Sequence, residues 1–497
     1  MRIKFIVTLL LFTSILAACS KQTEIIFKNS ELDQYRPLYH FTPDKGWMND
    51  PNGLVYLNGE YHLFYQYYPD STVWGPMHWG HASSKNLVNW EKLPIALYPD
   101  SLGYIFSGSA VYDQDNSSTL GSSENPPLVA IYTYHNMDAE KSGRNDYQSQ
   151  ALAFSIDKGK SWKKYENNPV LSNPGIKDFR DPKVSSITNP DGTKSWLMTL
   201  AVADHINFYS SPNLKDWTLL SEFGQNVGAH GGVWECPDLI PMKSPSGEEK
   251  WVLLVSINPG GPQKGSATQY FIGEFENGIF TPDDTLIKWL DYGPDNYAGV
   301  TWSNLPSNQD RVLFIGWMSN WLYGQSVPTQ LWRSAMTLPR ELSLFEVGET
   351  LLLKSSPAKE LTSLRKESYT INDFHSLLPS PAFEISGSIT NEEIFNITFS
   401  NELGEKLSIS KGEYLISIDR SHAGISDFNS DFADIFSAPF SWDANSFRIF
   451  VDSHSIELFI NEGELAMTTI AFPTSPWKNV EFSTNLTELK IYNLGEK

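Results

Sequence analysis

Short apolar runs, rich in β-branched and aromatic residues, recur from about residue 35 to residue 344. Each run is bounded by Gly, Pro, Asn or Asp, and the periodicity of an amphipathic helix is almost absent. Residues 128–134, 196–202, 251–256 and 311–317 are apolar almost throughout rather than alternating. Runs of this kind are typical of strands covered on both faces. The pattern therefore predicts an all-β protein.

A weak internal repeat organises these runs. The segment Ser-Lys-Asn-Leu-Val-Asn-Trp at 84–90 returns as Ser-Pro-Asn-Leu-Lys-Asp-Trp at 211–217, with a looser copy at 155–162. Four-stranded propeller blades take roughly 40–50 residues before loops are added. We therefore expect a β-propeller of about five blades over residues 35–345. Each copy should be a hairpin turn whose Trp packs between blades, which is a structural role.

The chain changes character after this region. Residues 353–365 are charged and briefly helical in pattern, and we assign 346–365 as a linker. Beyond it, strands with alternating polar and apolar residues return, as at 447–452 and 455–461. Short alternating strands over this length predict a β-sandwich, which we assign to 366–497.

The first residues have the pattern of an export signal. Arg2 and Lys4 precede an apolar run at 5–18, too short for a membrane span, which ends in Leu-Ala-Ala-Cys. This ending resembles a bacterial lipoprotein cleavage site. We expect 1–18 to be a lipoprotein signal peptide, Cys19 to be lipidated, and 19–34 to be a tether. An ordinary signal peptide that happens to end in Cys is the alternative. Cys236 is then alone, so no intrachain disulfide is expected.

The overall charge narrows the ligand class. There are 37 Lys and Arg against 58 Asp and Glu, for a net charge of −21. Such acidity opposes binding to nucleic acid or to an anionic membrane surface, and fits a neutral ligand. Aromatic residues make up 13% of the chain, which leaves some for faces that stack on sugar rings.

The run Trp-Met-Asn-Asp-Pro-Asn-Gly at 47–53 is the first candidate for chemistry. Taken alone, Asn-Asp-Pro-Asn-Gly indicates a turn. Its neighbours are strand-like, at 54–57 and 61–66, and Asn58-Gly59 between them predicts a hairpin. A rigidly held acid beside aromatic residues is how a sugar-cleaving carboxylate is presented. Asp50 is therefore a catalytic candidate.

Two further acids have unusual neighbours. Asp181 lies between Arg180 and a Pro, and Glu235 lies between Trp234 and Cys236. An adjacent Arg lowers the pKa of a carboxyl group, whereas apolar surroundings raise it. This contrast suggests Glu235 as a proton carrier and Asp181 as a constant anion. For either residue alone, a structural carboxylate is the simpler interpretation.

Together these residues resemble glycoside hydrolase family 32. The motifs are Trp-Met-Asn-Asp-Pro-Asn-Gly at 47–53, Phe-Ser-Gly at 106–108, Arg-Asp-Pro at 180–182 and Glu-Cys-Pro at 235–237, in that family's order. The resemblance extends from about residue 40 to residue 492. Gly-Trp-Met-Ser-Asn-Trp at 316–321, with the motifs that follow it, is most similar to the levanases and exo-inulinases of that family.

The resemblance implies a five-bladed β-propeller with its site in the axial funnel, followed by a C-terminal β-sandwich. It implies that Asp50 is the nucleophile, Glu235 the general acid/base, and Asp181 the stabiliser that binds fructose hydroxyls. The other residues that it places in the pocket are Asn49, Gln66, Trp74, Phe106, Ser107, Arg180 and Trp317.

The implied reaction is retaining hydrolysis of β-fructofuranosidic bonds in a fructan, levan or inulin, with release of terminal fructose; sucrose is a further substrate. No cofactor or metal is expected, no nucleic acid is bound, and the membrane is reached only through Cys19. Alternatives are endo-levanase action, fructosyl transfer, a non-catalytic surface fructan-binding lipoprotein, and an inverting five-bladed glycosidase acting on arabinose polymers.

Overall fold

The computed structural model describes residues 33–495, apart from 190, 307–309, 372, 390–393 and 484–485. The predicted signal peptide at 1–18, the lipidation at Cys19 and nearly all of the tether lie outside the described residues. Within the part described, no helix is both long and apolar enough to cross a membrane. The helical elements in that part are a short α-helix, Met137–Lys141, and a 3₁₀-helix, Lys359–Leu364.

The N-terminal region forms five antiparallel sheets, which are the blades of a β-propeller. Blade I consists of β1 (Gly46–Leu57), β2 (Glu60–Tyr68), β3 (His78–Ser84) and β4 (Trp90–Leu97), and blade II of β5 (Tyr104–Tyr112), β6 (Leu128–His135), β7 (Gln148–Ser155) and β8 (Lys163–Lys164). Blade III consists of β9 (Phe179–Thr188), β10 (Lys194–Val202), β11 (His205–Ser211) and β12 (Thr218–Phe223), and blade IV of β13 (Val233–Lys243), β14 (Glu249–Asn258), β15 (Ala267–Glu276), β16 (Ile279–Pro282) and β17 (Lys288–Trp289). Blade V consists of β18 (Tyr297–Thr301), β19 (Val312–Met318), β21 (Ala335–Met336), β22 (Arg340–Val347) and β23 (Thr350–Pro357).

The first strand of each blade is the innermost, and these five strands neighbour one another in a closed ring. Apolar clusters fill the space between blades, so that β6 in blade II is buried along its whole length. This burial confirms the prediction that the continuous apolar runs are strands covered on both faces. The ring closes where β20 (Trp332–Arg333), from the loop of blade V, pairs in parallel with β1 of blade I.

The repeat is the turn between the third and fourth strands of blades I, II and III. In each copy the Trp indole N–H donates to the carbonyl three residues before it: Trp90 to Leu87 at 3.0 Å, Trp162 to Gly159 at 3.1 Å and Trp217 to Leu214 at 3.1 Å. Trp162 also packs edge-on against Phe64 of blade I, with ring centroids 5.3 Å apart. The predicted structural role of these residues is confirmed.

The C-terminal region is a sandwich of two six-stranded sheets around one apolar core. Its strands are β24 (Arg365–Thr370), β25 (His375–Leu377), β26 (Phe383–Ile389), β27 (Phe395–Ser400), β28 (Lys406–Lys411), β29 (Leu415–His422), β30 (Ile435–Pro439), β31 (Ser446–Asp452), β32 (Ser455–Ile460), β33 (Leu465–Ile470), β34 (Asn479–Phe482) and β35 (Leu486–Leu494).

The predicted linker at 346–365 is wrong over its first half. Strand β23 (Thr350–Pro357) pairs along its length with β22 and completes blade V. Only the 3₁₀-helix Lys359–Leu364 connects the two domains. The charges in this stretch suggested a linker because β23 is an outer strand of its blade, where polar side chains are tolerated.

A buried ionic network joins the two domains. Arg340 of blade V is fully buried and donates to Asp291 at 2.8 Å within the propeller, and to Glu457 and Thr468 of the sandwich, both at 2.6 Å. His40 also contacts Glu457, at 2.9 Å. Removing one partner of a buried pair leaves charge without compensation, which costs more than the pair contributes.

We predict that Arg340→Ala lowers the free energy of unfolding by about 3–5 kcal/mol, because Asp291 remains buried without its cation and Glu457 keeps only His40 as a basic partner. Calorimetric unfolding measures this loss. The control is Arg144→Ala, which breaks an exposed pair with Asp146 and should cost little. Equal effects of the two substitutions would contradict a joining role for Arg340.

Candidate active site

Each of the five innermost strands carries a β-bulge, in which two consecutive residues face one residue of the second strand. The pairs are Asn49 and Asp50 opposite Gln66, Phe106 and Ser107 opposite Thr133, Asp181 and Pro182 opposite Leu200, Cys236 and Pro237 opposite Val255, and Ala298 and Gly299 opposite Gly316. A bulge bends its strand and re-aims a side chain. Together the bulges turn functional groups into the axial funnel.

The backbone at these bulges explains the motifs. Pro182 and Pro237 lack an N–H, which a bulge on the edge strand of a blade does not require. Asp181 and Cys236 have φ of 64° and 45°, in the left-handed region that residues other than Gly rarely occupy. Such conformations persist at functional sites where the surrounding structure enforces them.

The run at 47–53 is therefore not a turn, as its sequence alone indicated. It is the bulged part of β1, which runs without a break from Gly46 to Leu57. The predicted hairpin after it is confirmed, with φ of 52° at Asn58 and 90° at Gly59.

The bulges surround a pocket of about 280 Å³. It is lined by Asn49, Asp50, Gln66, Trp74, Phe106, Ser107, His135, Glu140, Gln148, Asp178, Arg180, Asp181, Glu235, Trp321 and Gln325. Every site residue predicted from the sequence for this funnel is present, except Trp317. The sequence did not single out six of the lining residues: His135, Glu140, Gln148, Asp178, Trp321 and Gln325.

The placement of Trp317 in the pocket is wrong. Its side chain is fully buried behind the pocket, against Trp47 at 5.9 Å and Trp321 at 5.0 Å between ring centroids. Trp321, at the end of the same Gly-Trp-Met-Ser-Asn-Trp run, lines the pocket instead. Trp317 lies on β19, the second strand of its blade, whereas Trp321 lies on the loop that follows β19 and reaches the funnel.

The Asp50 carboxylate is held by a hydroxyl and an amide donor. The Ser107 hydroxyl donates to Oδ2 at 2.7 Å, and the Asn49 amide donates to Oδ1 at 3.0 Å. Asn49 is itself oriented by the indole N–H of Trp47 at 2.7 Å. Burial raises the pKa of Asp50, and these hydrogen bonds oppose that effect. The carboxylate is fixed in one orientation, as a nucleophile requires.

Arg180 is directed at Glu235 rather than at its sequence neighbour Asp181. Its Nη2 lies 2.8 Å from Glu235 and its Nη1 lies 2.7 Å from Asp178, whereas Asp181 is 3.9 Å from Nε. The positive φ at Asp181 turns the two adjacent side chains apart. The hydroxyl of Tyr297, on the innermost strand of blade V, donates to the other oxygen of Glu235.

Asp181 is buried and accepts the backbone N–H of Cys236 at 3.1 Å. Burial raises its pKa to about 7, with contributions from Glu235 and Asp50 and against the effect of Arg180. This raised pKa opposes the expected role of Asp181 as a constant anion, which stays a prediction. The sequence showed the adjacent Arg but not the two other carboxyl groups that share the funnel.

Cys236 lies between two of the acids, with its Sγ 3.6 Å from both Asp50 and Asp181. Burial, together with the charges of Asp181, Asp50 and Glu235, raises the pKa of its thiol well above the usual range. A thiol in such surroundings is a space-filling group and a weak donor, not a nucleophile.

The inner end of the pocket is closed. The Lys183 ammonium group bonds to Asp238 at 2.8 Å and to the carbonyl of Thr301 at 2.6 Å, and so bridges blades III, IV and V. These three residues line a separate cavity of about 410 Å³ at the other end of the axis, which shares no lining residue with the first. The pocket and this cavity are therefore separate, as expected of a pocket whose inner end is closed.

Carboxyl groups in a pocket with aromatic walls are the arrangement that glycoside hydrolases use. The glycosyl hydrolases family 32 N-terminal domain matches residues 40–355, and the family's C-terminal domain matches 356–494. The chain belongs to glycosyl hydrolase family 32. The resemblance seen in the motifs and the expected propeller-and-sandwich architecture are both confirmed.

Relatives match along most of the chain. It is 44% identical to a levanase of Bacillus subtilis over 93% of this chain and 70% of that protein. It is 38% identical to an extracellular exo-inulinase of Aspergillus awamori over 89% and 90%. The crystal structure of exo-inulinase from A. awamori superposes with a TM-score of 0.83 at 36% identity, covering 93% of this chain and 98% of that one.

Proposed function

We propose that this protein is a retaining β-fructosidase that removes terminal fructose units from a fructan, levan or inulin, and that it also accepts sucrose. The observation that carries the proposal is a closed pocket with Asp50 and Glu235 on innermost strands around one funnel. The levanase and exo-inulinase relatives support the substrate class.

Asp50 attacks the anomeric carbon of the bound fructose unit. The hydrogen bonds from Ser107 and Asn49 hold the carboxylate in one preorganised side-chain conformation. Retention requires a nucleophile and an acid with their carboxyl groups ~5–5.5 Å apart. Asp50 and Glu235 line the same pocket, as a pair with these two roles must.

Glu235 gives its proton to the leaving oxygen and then takes one from water. Arg180 and Tyr297 fix both of its oxygens. Asp181, with Arg180 beside it, holds fructose hydroxyls and stabilises the oxocarbenium character of the transition state. When substrate hydroxyls bind Asp181 and Arg180, the electrostatic interactions of these two groups with Glu235 change.

The closed inner end favours action at chain ends. One terminal sugar unit can enter the pocket past Trp74 and Trp321, and the rest of the polymer remains outside the mouth. We predict that free fructose is the product from the first time point on both levan and inulin, because each cleavage starts from a terminus. Chromatography of early products checks this. A ladder of oligomers at early times would contradict it and favour endo action.

We also infer that the protein is exported and anchored at a membrane through lipid on Cys19. The support is the Leu-Ala-Ala-Cys sequence, with its basic and apolar lead, at 16–19. One acyl chain binds a membrane only marginally, and several chains bind stably.

We predict that the wild-type protein incorporates a fatty-acid label and sediments with membranes, whereas Cys19→Ala incorporates none and keeps its fructan-hydrolysing activity. Cys236→Ser is the matched control and should remain labelled. Wild-type protein found unlabelled in the soluble fraction would contradict the anchor.

A further inference from the structure

The pocket holds a surplus of negative charge. Five carboxyl groups line it, those of Asp50, Asp178, Asp181, Glu235 and Glu140. Among the lining residues described above, Arg180 is the only permanently charged cation. The remaining basic group is His135, whose pKa burial lowers, so that it stays neutral near pH 7.

Arg180 has little charge to offer a ligand. Its guanidinium group already donates to Glu235 at 2.8 Å and to Asp178 at 2.7 Å, with Asp181 at 3.9 Å. Even with one acid protonated for catalysis, the carboxylates outnumber this cation. The lining of the pocket therefore carries net negative charge.

Glu140 is the carboxylate at the outer rim. Its side chain is 42% exposed, against 19% for Glu235, 17% for Asp178 and 5% for Asp181. It lies on the short helix Met137–Lys141, which Asn136 caps by accepting the N–H of Ala139 at 2.9 Å. The ring of His135 holds its carboxylate at 3.0 Å.

The leaving group has to pass this rim. A sugar attached to the terminal fructose has to project through the mouth of the pocket, whose lining includes the exposed Glu140. A carboxylate can accept hydrogen bonds from a neutral sugar's hydroxyl groups at this position, but it repels an anionic substituent.

We propose that Glu140 is a specificity-determining residue, which makes the site selective for neutral fructosides and rejects those whose leaving-group sugar carries a phosphomonoester. The inference rests on the proposed function and adds to it the charge class of the substrate. It predicts effects of opposite sign for anionic and cationic ligands at the same rim.

The test compares inhibition constants of sucrose, sucrose 6-phosphate and the hydroxylated ammonium ion Tris, each measured as competition against levan hydrolysis. In the wild type, sucrose 6-phosphate should bind at least roughly tenfold more weakly than sucrose, and added salt should narrow this ratio. Glu140→Gln keeps an acceptor for His135 and removes the charge. This variant should reduce the ratio of the inhibition constants of sucrose 6-phosphate and sucrose roughly threefold to tenfold. It should also weaken the binding of Tris relative to that of sucrose.

Glu413→Gln, which removes one exposed charge from the sandwich, is the control and should leave both ratios unchanged. Wild-type enzyme that binds the phosphorylated and neutral sugars equally would overturn the proposal. A Glu140→Gln variant that shifts the phosphate and Tris ratios in the same direction would overturn it as well. An enzyme without activity on levan, inulin or sucrose would instead overturn the proposed function, and this selectivity with it.

Discussion

One extra residue in the innermost strand of every blade is the constraint on which the site depends. A regular strand would send Asp50, Ser107 and Asp181 to faces set by simple alternation, and the blades fill those faces with apolar side chains. The bulges break the alternation at one level of all five strands. The apolar packing between blades and the polar funnel can therefore coexist in the same strands.

The same geometry makes neighbouring blades share their charges. Arg180 of blade III donates a hydrogen bond to Glu235 of blade IV, and the backbone N–H of Cys236 in blade IV donates one to Asp181 of blade III. Buried carboxylates are costly unless they are paired and hydrogen-bonded. Because each acid depends on a donor from another blade, the closed ring is a condition for the chemistry. The buried network around Arg340 then fixes the propeller against the sandwich.

Much of the architecture could be predicted because its signals are local. Apolar runs mark strands covered on both faces, and the repeated Trp turns mark the outer hairpins of three blades. The three acids and most of the pocket followed from motifs whose residue order resembles a known family. The N-terminal segment with Cys19 stays a prediction, since the structure describes residues only from 33 onward.

The errors concern relations that a single sequence does not encode. Asn-Asp-Pro-Asn-Gly has turn residues because a bulge needs the same backbone freedom as a turn. The partner of Arg180 depends on a positive φ at Asp181, and the assignment of Trp317 depended on which side of a blade each Trp faces. Glu140 belongs to no motif, because the short helix that carries it is placed by the hairpin between β6 and β7. Asp178 could have been predicted as a pocket residue, because it lies only two residues before Arg180.

The central claim is that the bulges present Asp50 as the nucleophile and Glu235 as the acid/base of one retaining reaction. Azide rescue with an activated fructoside tests it most directly, because azide needs no general base. Glu235→Ala should lose roughly 10²–10⁴-fold on sucrose or levan but much less on the activated substrate, and azide should restore its turnover with a β-fructosyl azide as product. Asp50→Asn should yield no β-fructosyl azide. A β-configured azide product from Asp50→Asn, or equal losses of Glu235→Ala on good and poor leaving groups, would contradict the assignment.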